Sequence, residues 1–280
     1  DAGGAAADDL GGVGDGGAMA RWDGTSWTRW DDGASGRLGA VWGSAADDVW
    51  AVGDGGRVLH WNGTSWTALD TGLDRDLVDV WGTARNDVWV LREAGMDHWD
   101  GHAWTSSGWP GPPGGWYGLW GFARDDVWAV GRTGVARWDG RSWTVTDDSG
   151  ARRLVLTAAW GAAPDDLWAV GDGGVRVHWD GTAWTESRRD ADWLLDVHGT
   201  APDDVWAVDI DYGLHHWDGA AWTWFDPGQW SLAAVWASSR TEAWAVGHNG
   251  IVRWDGSTWT PAALGERPHP LQDIGGTAPD

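Results

Sequence analysis

The chain repeats itself at a period of 38 to 40 residues, and this periodicity limits the folds that it can adopt. One position recurs seven times, with spacings of 39, 39, 40, 38, 38 and 39 residues, at Trp42, Trp81, Trp120, Trp160, His198, Trp236 and Gly275. The repeat that starts at 271 stops at Asp280 and continues in register at Asp9. A ring of short, self-similar units predicts an all-β fold, namely a seven-bladed β-propeller of four-stranded blades. Its circle is predicted to close by pairing of the C-terminal strand with the N-terminal repeat.

The spacing of the repeats also predicts the domain boundaries. Residues 9–280 form a single propeller, and its last blade combines 271–280 with 9–30. Residues 1–8 lie outside the repeat and are predicted to be a flexible leader. Within the first complete repeat, short apolar segments predict strands at 38–42, 49–53, 57–61 and 65–69.

An Asn-Gly or Asp-Gly pair separates the third and fourth strands of every repeat, which is typical of a two-residue type I′ turn. Aligning the strands on the turns predicts that Trp50, Leu59, Trp61 and Trp66 share one bulky face. That face would pack against a face of small residues on the next blade. On this interpretation, 25 of the 31 Trp occupy repeat positions in the core.

Composition and charge narrow the possible partners. The formal net charge of −23 argues against nucleic acid and against anionic membranes, because both are bound chiefly through basic surface. No apolar run approaches the roughly 18 residues of a membrane span, so no membrane insertion is expected. The absence of Cys excludes disulfides and Cys-ligated zinc. We expect a secreted or cell-surface protein, with the periplasm as a further location.

Motifs that suggest catalysis have structural explanations. The run Gly12–Gly17 matches a dinucleotide fingerprint, but the same residues recur as a hairpin turn without a following helix. A basic residue precedes the third-strand Trp in every repeat: Arg21, His60, His98, Arg137, His178, His216 and Arg253. Arg cannot ligate a metal, so this pattern favours a structural hydrogen bond or ion pair. No nucleophile, base and orienting acid stand out, and the protein is predicted not to be an enzyme.

Acidic residues concentrate on one rim of the predicted ring, which we call the acidic rim. It holds the connections between first and second strands and between third and fourth strands, with 18 acids against four Arg. One interpretation is a solvated ring of turns in which Asp side chains bind their own backbone. The alternative is a cation site, with calcium as the possible cofactor.

The opposite rim, which we call the variable rim, carries connectors that differ in every repeat. Six Trp that the repeat does not explain lie there, Trp224 among them. Trp and Arg on loops over a rigid scaffold are typical of a recognition surface. The predicted ligand-binding residues are Trp30, Trp109, Trp116, Trp193, Trp230, Arg152 and Arg188. Alternatively, these rings fold back over the outer strands as local plugs.

The repeated pattern V-W-x-x-x-x-x-D-V-W-A-V-G-D-G-G, followed by H-W-D-G-T-x-W-T, carries a family resemblance. It occurs in 41–67 with Asn62 in place of Asp, and in 159–185 with Ala159 and Leu167 in place of Val, and it resembles Trp-rich bacterial propeller repeats. It is more loosely similar to tectonin-type propellers and seven-bladed bacterial lectins. The resemblance implies the propeller fold, and some of these families bind glycans between blades. Their sugar contacts do not map onto this chain, so no site residue is carried over.

Three functions are compatible with these observations. The first is a non-catalytic, lectin-like propeller that binds glycans through Trp and Arg on the variable rim. The second is a protein-interaction scaffold in a surface or secreted assembly, which would show a contiguous apolar or Trp patch. The third is a hydrolase or lyase, which would need a cluster of strongly perturbed titrating groups in the central channel. The sequence predicts no oligomeric state.

Overall fold

The computed structural model describes residues 10–31, 36–92, 95–108, 115–146, 154–188, 193–211, 213–228, 230–263 and 270–276. These residues form seven four-stranded antiparallel sheets arranged as the blades of a ring. In chain order, the strands are β1 Leu10–Gly14, β2 Ala18–Trp22, β3 Trp27–Asp31, β4 Leu38–Ala45, β5 Asp48–Gly53, β6 Arg57–Trp61, β7 Trp66–Leu69, β8 Leu77–Ala84, β9 Asp87–Arg92, β10 Gly95–Trp99, β11 Trp104–Ser106, β12 Trp116–Ala123, β13 Asp126–Gly131, β14 Gly134–Trp138, β15 Trp143–Thr146, β16 Leu156–Ala163, β17 Asp166–Gly171, β18 Val175–Trp179, β19 Trp184–Arg188, β20 Leu194–Ala201, β21 Asp204–Asp209, β22 Leu214–Trp217, β23 Trp222–Phe225, β24 Leu232–Ser239, β25 Glu242–Gly247, β26 Gly250–Trp254, β27 Trp259–Ala262 and β28 Leu271–Gly276.

Blades 1 to 6 each use four consecutive strands, starting with β4–β7 and ending with β24–β27. Blade 7 joins the two ends of the chain, with strand order β28-β1-β2-β3. Leu10 pairs with Gly276 and Gly12 with Ile274, so the predicted closure of the ring is confirmed. The predicted leader at 1–8 lies outside the described residues. Within the described part of the chain, no helix has the length and hydrophobicity needed to cross a membrane.

The predicted strand register within a blade is wrong by one residue. Trp50 pairs with His60, whereas Leu59 pairs with Ala51. The β5–β6 connection is a three-residue turn, Asp54–Gly56, and its Gly55 and Gly56 adopt positive φ. This odd loop length shifts every β6 side chain to the opposite face of the sheet, because side chains alternate along a strand. Trp61 and Trp66 therefore face away from Trp50.

The corrected register places large aromatic rings on both sides of each blade interface. Trp50 of blade 1 contacts Trp99 and Trp104 of blade 2, with ring centroids 6.4 and 6.2 Å apart. We call this arrangement the tryptophan trio. It recurs at six of the seven interfaces, where the second-strand Trp are Trp50, Trp89, Trp128, Trp168, Trp206 and Trp244. Edge-to-face and tilted pairs of this kind add about 0.5–1.5 kcal/mol beyond burial.

The seventh interface, between blades 7 and 1, lacks the first member of the trio. Gly11 stands at the position of that Trp, and a small cavity of about 20 Å³ lies beside Gly11 and Gly275. Trp30 lines this cavity and contacts Trp61 in a tilted arrangement, with ring centroids 5.3 Å apart. A ring from the outermost strand thus partly fills the space that the missing Trp leaves.

Candidate binding surface on the variable rim

Six of the seven basic residues that precede the third-strand Trp form the predicted structural pairs. His60 Nε2 lies 2.7 Å from Asp48 Oδ1, and Arg137 Nε lies 2.7 Å from Asp126 Oδ1. Equivalent pairs join His98 to Asp87, His178 to Asp166, His216 to Asp204 and Arg253 to Glu242. Burial acts to raise the pKa of Asp48, but hydrogen bonds from His60 and Ser44 outweigh it and the pKa is lowered. Each pair joins the second and third strands of one blade, so these carboxylates are not free to bind a ligand.

The turn carboxylates of the acidic rim are occupied by their own backbone. Asp180 Oδ1 accepts N–H groups from Thr182 at 2.9 Å and Ala183 at 2.8 Å. A hydrogen bond from the Thr182 hydroxyl, followed by those two N–H groups, lowers the pKa of Asp180 to about 2. In the described residues, no group of three or more His, Asp or Glu is arranged to hold a metal ion. Calcium on this rim stays a prediction.

The inner strands surround a central cavity of about 410 Å³. Toward the acidic rim it is narrowed by side chains at the repeated Trp position, where Trp120, Trp160, His198 and Trp236 contact one another. His198 replaces a Trp in this ring, and its Nδ1 accepts the backbone N–H of Ala237 at 3.2 Å. Burial lowers the pKa of His198 to about 3, so its ring is neutral.

Three carboxyl groups lie on the cavity wall and bridge adjacent blades. Asp79, Asp196 and Asp273 each accept the backbone N–H of a residue on the next inner strand, at 2.6 Å from Leu119, 2.9 Å from Val235 and 2.8 Å from Val41. Burial raises the pKa of Asp196 to about 7, with a further contribution from the negative charge of Asp273. Burial also raises the pKa of Asp273 to about 6 and that of Asp79 well above its usual value.

The predicted ligand-binding residues do not form one site. Trp109 and Arg152 lie outside the described residues. The prediction for Trp116 is wrong, because this residue is the first of inner strand β12 and is only 2% exposed. It occupies the place of Leu38 and Leu77 in blades 1 and 2, which explains its burial.

Trp30 and Trp230 are half-buried, and both rings pack against neighbouring groups of the protein. Trp30 fills the seventh interface, as described above. Trp230 lies against the backbone of Gly250, where a Cβ atom would come within 2.2 Å of the indole ring. Both positions match the alternative that these rings are local plugs. Arg188 lies at the exposed end of β19, and its Nε donates to Glu186.

Among the described residues, Trp193 is the predicted ligand-binding Trp that is exposed, and two other exposed apolar residues of blade 5, Ile210 and Trp224, lie near it. Its carbonyl oxygen accepts the N–H of Ile210 at 2.9 Å. Trp193, Ile210 and Trp224 are 40%, 44% and 46% exposed. In the described residues, one other large hydrophobic side chain is exposed, Val145 of blade 3. We call Trp193, Ile210 and Trp224 the blade 5 patch.

A single hairpin brings the blade 5 patch together. Ile210 lies at the start of the connection between β21 and β22, and Trp193 is tied to it through the hydrogen bond above. The indole of Trp224 covers Gly213 at the end of the same connection, where an added Cβ would lie 2.2 Å from Nε1. Three exposed apolar side chains therefore lie around one hairpin on the variable rim.

Sequence reasoning missed Ile210 and left Trp224 out of the predicted site. Both residues nevertheless depart from the repeat in the sequence. Ile210 occupies the position held by Asp15, Asp54 and Asp172 in blades 7, 1 and 4, so an apolar residue there is anomalous. Trp224 lies two residues after the repeat Trp222 and opposite His215, where blade 1 has Ala68.

Comparisons with known proteins support the fold. No family profile matches the chain, and no curated protein matches it in sequence. The structure of YCF48 bound to D1 peptide is similar, with a TM-score of 0.69 and 18% identity over 91% of this chain and 89% of that one. The structure of YCF48 from Cyanidioschyzon merolae has a TM-score of 0.65 and 18% identity, over 82% of this chain and 85% of that one. The WD40 β-propeller domain of Doa1 has a TM-score of 0.70 and 10% identity, over 91% of this chain and 88% of that one. These structures include no tectonin or lectin propeller, and at such identities they show that the chain has a propeller fold.

Proposed function

We propose that this propeller is a non-catalytic scaffold that binds a segment of another protein on its variable rim. The observation that carries the proposal is the blade 5 patch, in which Trp193, Ile210 and Trp224 are all at least 40% exposed around one hairpin. Apolar side chains of this size are costly to leave in water, and contiguous exposed patches mark interaction sites. A structurally similar propeller, YCF48, is known in complex with a peptide.

Glycan binding is less well supported by the same observations. Of the rings predicted to stack on sugars, Trp116 is buried, and Trp30 and Trp230 cover neighbouring backbone or side chains. The spaces between six pairs of blades are filled by the tryptophan trios. The predicted secreted or cell-surface location is retained as part of the proposal.

A second candidate function, a hydrolase or lyase, draws support from the central cavity. Asp79, Asp196 and Asp273 face this cavity with raised pKa values, which is the cluster that such an enzyme requires. Each of these carboxyl groups, however, accepts a backbone N–H from the next blade. That contact explains their position without a substrate, and we therefore rank this function second.

Two screens on the same immobilised protein test the proposal. A random 12-residue peptide library displayed on phage should give enriched sequences, whereas a glycan array should give no signal above that of a denatured sample. Glycan signal without peptide enrichment would reverse the ranking of the two binding functions. Hydrolytic or lyase activity that Asp196→Asn abolishes, with unchanged melting temperature, would favour the enzyme.

A further inference from the structure

Blades 5 and 2 differ from the other five blades at the residue that precedes the hairpin between the second and third strands, which is Asp209 in blade 5 and Arg92 in blade 2. In blades 7, 1, 3, 4 and 6 this residue is Gly, and an added Cβ would lie within 1.8–2.0 Å of a backbone carbonyl oxygen. The equivalent residue of blade 5 is Asp209. The residue that follows it is exposed in blade 5, as it is in blades 1, 3, 4 and 6, but blade 5 has the apolar Ile210 where those blades have Asp54, Arg132, Asp172 and His248.

A buried polar network holds this hairpin in place. Asp209 accepts the N–H of Gly213 at 2.7 Å and lies 2.8 Å from His215 Nε2. On the other side of the imidazole, Arg176 Nη2 of blade 4 lies 3.0 Å from His215 Nδ1. Asp209, His215 and Arg176 are each at most 4% exposed. The patch therefore rests on a rigid support, which reduces the entropy that a partner must overcome on binding.

The charges around the patch indicate the chemistry of its partner. Asp211 follows Ile210 directly, Asp226 lies two residues after Trp224, and both are exposed. Arg188 of the neighbouring blade is already paired with Glu186. A basic partner would gain from this local negative charge and from the net charge of −23. A second copy of the chain carries the same net charge of −23 and would be repelled.

We propose that the blade 5 patch binds a protein segment in which an apolar or aromatic anchor is flanked by Lys or Arg. This inference rests on the proposed function and specifies its site and its class of partner. Two indole rings provide flat apolar surface of the kind that dominates binding hot spots. The two aspartates beside them provide the electrostatic selection for basic flanks.

The experiment compares two defined pools of fluorescent 12-residue peptides by fluorescence anisotropy. Both pools carry Trp, Phe, Leu or Ile at the two central positions. One pool has Lys and Arg on the flanks, and the other has Asp and Glu. We expect the basic-flank pool to bind and its affinity to fall as sodium chloride rises from 0.05 to 0.5 M, whereas the acidic-flank pool should not bind.

Three substitutions remove the patch by replacing each of its residues with the residue at the equivalent position of blade 1. Trp193→Arg, Ile210→Asp and Trp224→Ala reproduce Arg37, Asp54 and Ala68, so the fold has a precedent for each. We expect Trp224→Ala to weaken basic-peptide binding by about 30-fold and the triple variant to abolish it. The control Val145→Ser removes a similarly exposed apolar residue from blade 3 and should leave binding unchanged.

The outcomes separate this inference from the proposed function. Basic peptides that bind the wild type and the triple variant equally would place the site elsewhere and overturn the inference, while protein binding would stand. Absence of binding to both pools and to the random library would overturn both. A wild-type dimer that Ile210→Asp dissociates in sedimentation equilibrium would assign the patch to a second copy. A glycan signal that Trp224→Ala removes would assign it to a sugar.

Discussion

His216 and Asp204 form a part-buried pair between neighbouring strands of blade 5, with Nε2 and Oδ1 2.7 Å apart. Asp204 is fully buried, and Thr200 donates its hydroxyl to the other carboxylate oxygen. The imidazole also stacks on Trp206, with ring centroids 4.2 Å apart. The same arrangement recurs around the ring, with Arg in place of His in blades 3 and 6.

Replacement of His216 by Ala should lower the free energy of unfolding by roughly 1–3 kcal/mol, because it leaves a buried carboxylate short of a donor. His216→Arg should retain most of the stability, since Arg137 and Arg253 form this contact in other blades. Chemical denaturation measures both values. His102, which is 92% exposed, offers the control His102→Ala. Equal losses for the Ala and Arg variants would contradict the interpretation.

The carboxyl groups of the central cavity should make stability fall as pH rises. The pKa of Asp196 is about 7 and that of Asp273 about 6 in the folded protein, against 3.8 for an unperturbed Asp. Between these values the folded state binds more protons than the unfolded state, so the stabilising contribution present at pH 4 is lost toward pH 7. We expect a higher melting temperature at pH 5.5 than at pH 8.

Asp196→Asn should reduce this difference between the two pH values, because its amide can still accept the N–H of Val235 without carrying a charge. Asp226→Asn changes the net charge equally at an exposed position and is the matched control. Differential scanning calorimetry at the two pH values gives the comparison. A pH dependence that survives when Asp79, Asp196 and Asp273 are all replaced by Asn would exclude the cavity as its source.

Asn62→Asp should stabilise the protein above pH 4. Asn62 Oδ1 accepts N–H groups from Thr64 and Ser65, both at 3.0 Å, in the turn where six other blades have Asp. In the equivalent turn of blade 7, a hydrogen bond from the Thr25 hydroxyl and the N–H groups of Ser26 and Thr25 lower the pKa of Asp23 to about 2. A lowered pKa stabilises the folded state above the unfolded pKa, and this gain disappears as the pH falls toward 2. Melting curves at pH 7 and pH 2.5 test the prediction. An unchanged melting temperature at pH 7 would contradict it.

Salt should raise the melting temperature, because charges of one sign crowd a chain with a net charge of −23. Sodium chloride and calcium chloride at matched ionic strength separate screening from specific binding. A further rise with calcium, reversed by a chelator, is the result that a calcium site on the acidic rim requires. Equal melting temperatures in the two salts would exclude that site.

The repeat made the ring predictable, whereas the departures from the repeat were harder to interpret. Closure followed from the register between the C-terminal strand and Leu10, and the pairing of Leu10 with Gly276 confirms it. The face assignment of Trp61 failed because it depended on whether the β5–β6 turn contains an even or odd number of residues. Trp116 was misplaced because it was counted with a connector, although it stands where other blades have Leu.

The candidate site was partly visible in the sequence through Trp193. Ile210 was missed because the prediction considered Trp and Arg on the connectors and did not compare the residue that follows the second strand, which is Asp, Arg or His in blades 7, 1, 3, 4 and 6. An apolar residue at a position that is polar in those blades, rather than surplus Trp alone, is therefore the sequence signal for the proposed binding surface.

The pairing of β1 with β28 in blade 7 also has a consequence for biosynthesis. Strand β1 meets its partner β28 only after more than 250 further residues have been made. At a translation rate of about 5–20 residues per second, that interval lasts on the order of tens of seconds. Throughout it, the three N-terminal strands keep an unpaired edge, and such edges recruit other chains. Pairing of β28 with β1 thus removes the aggregation hazard that the open edge of β1 presents during synthesis.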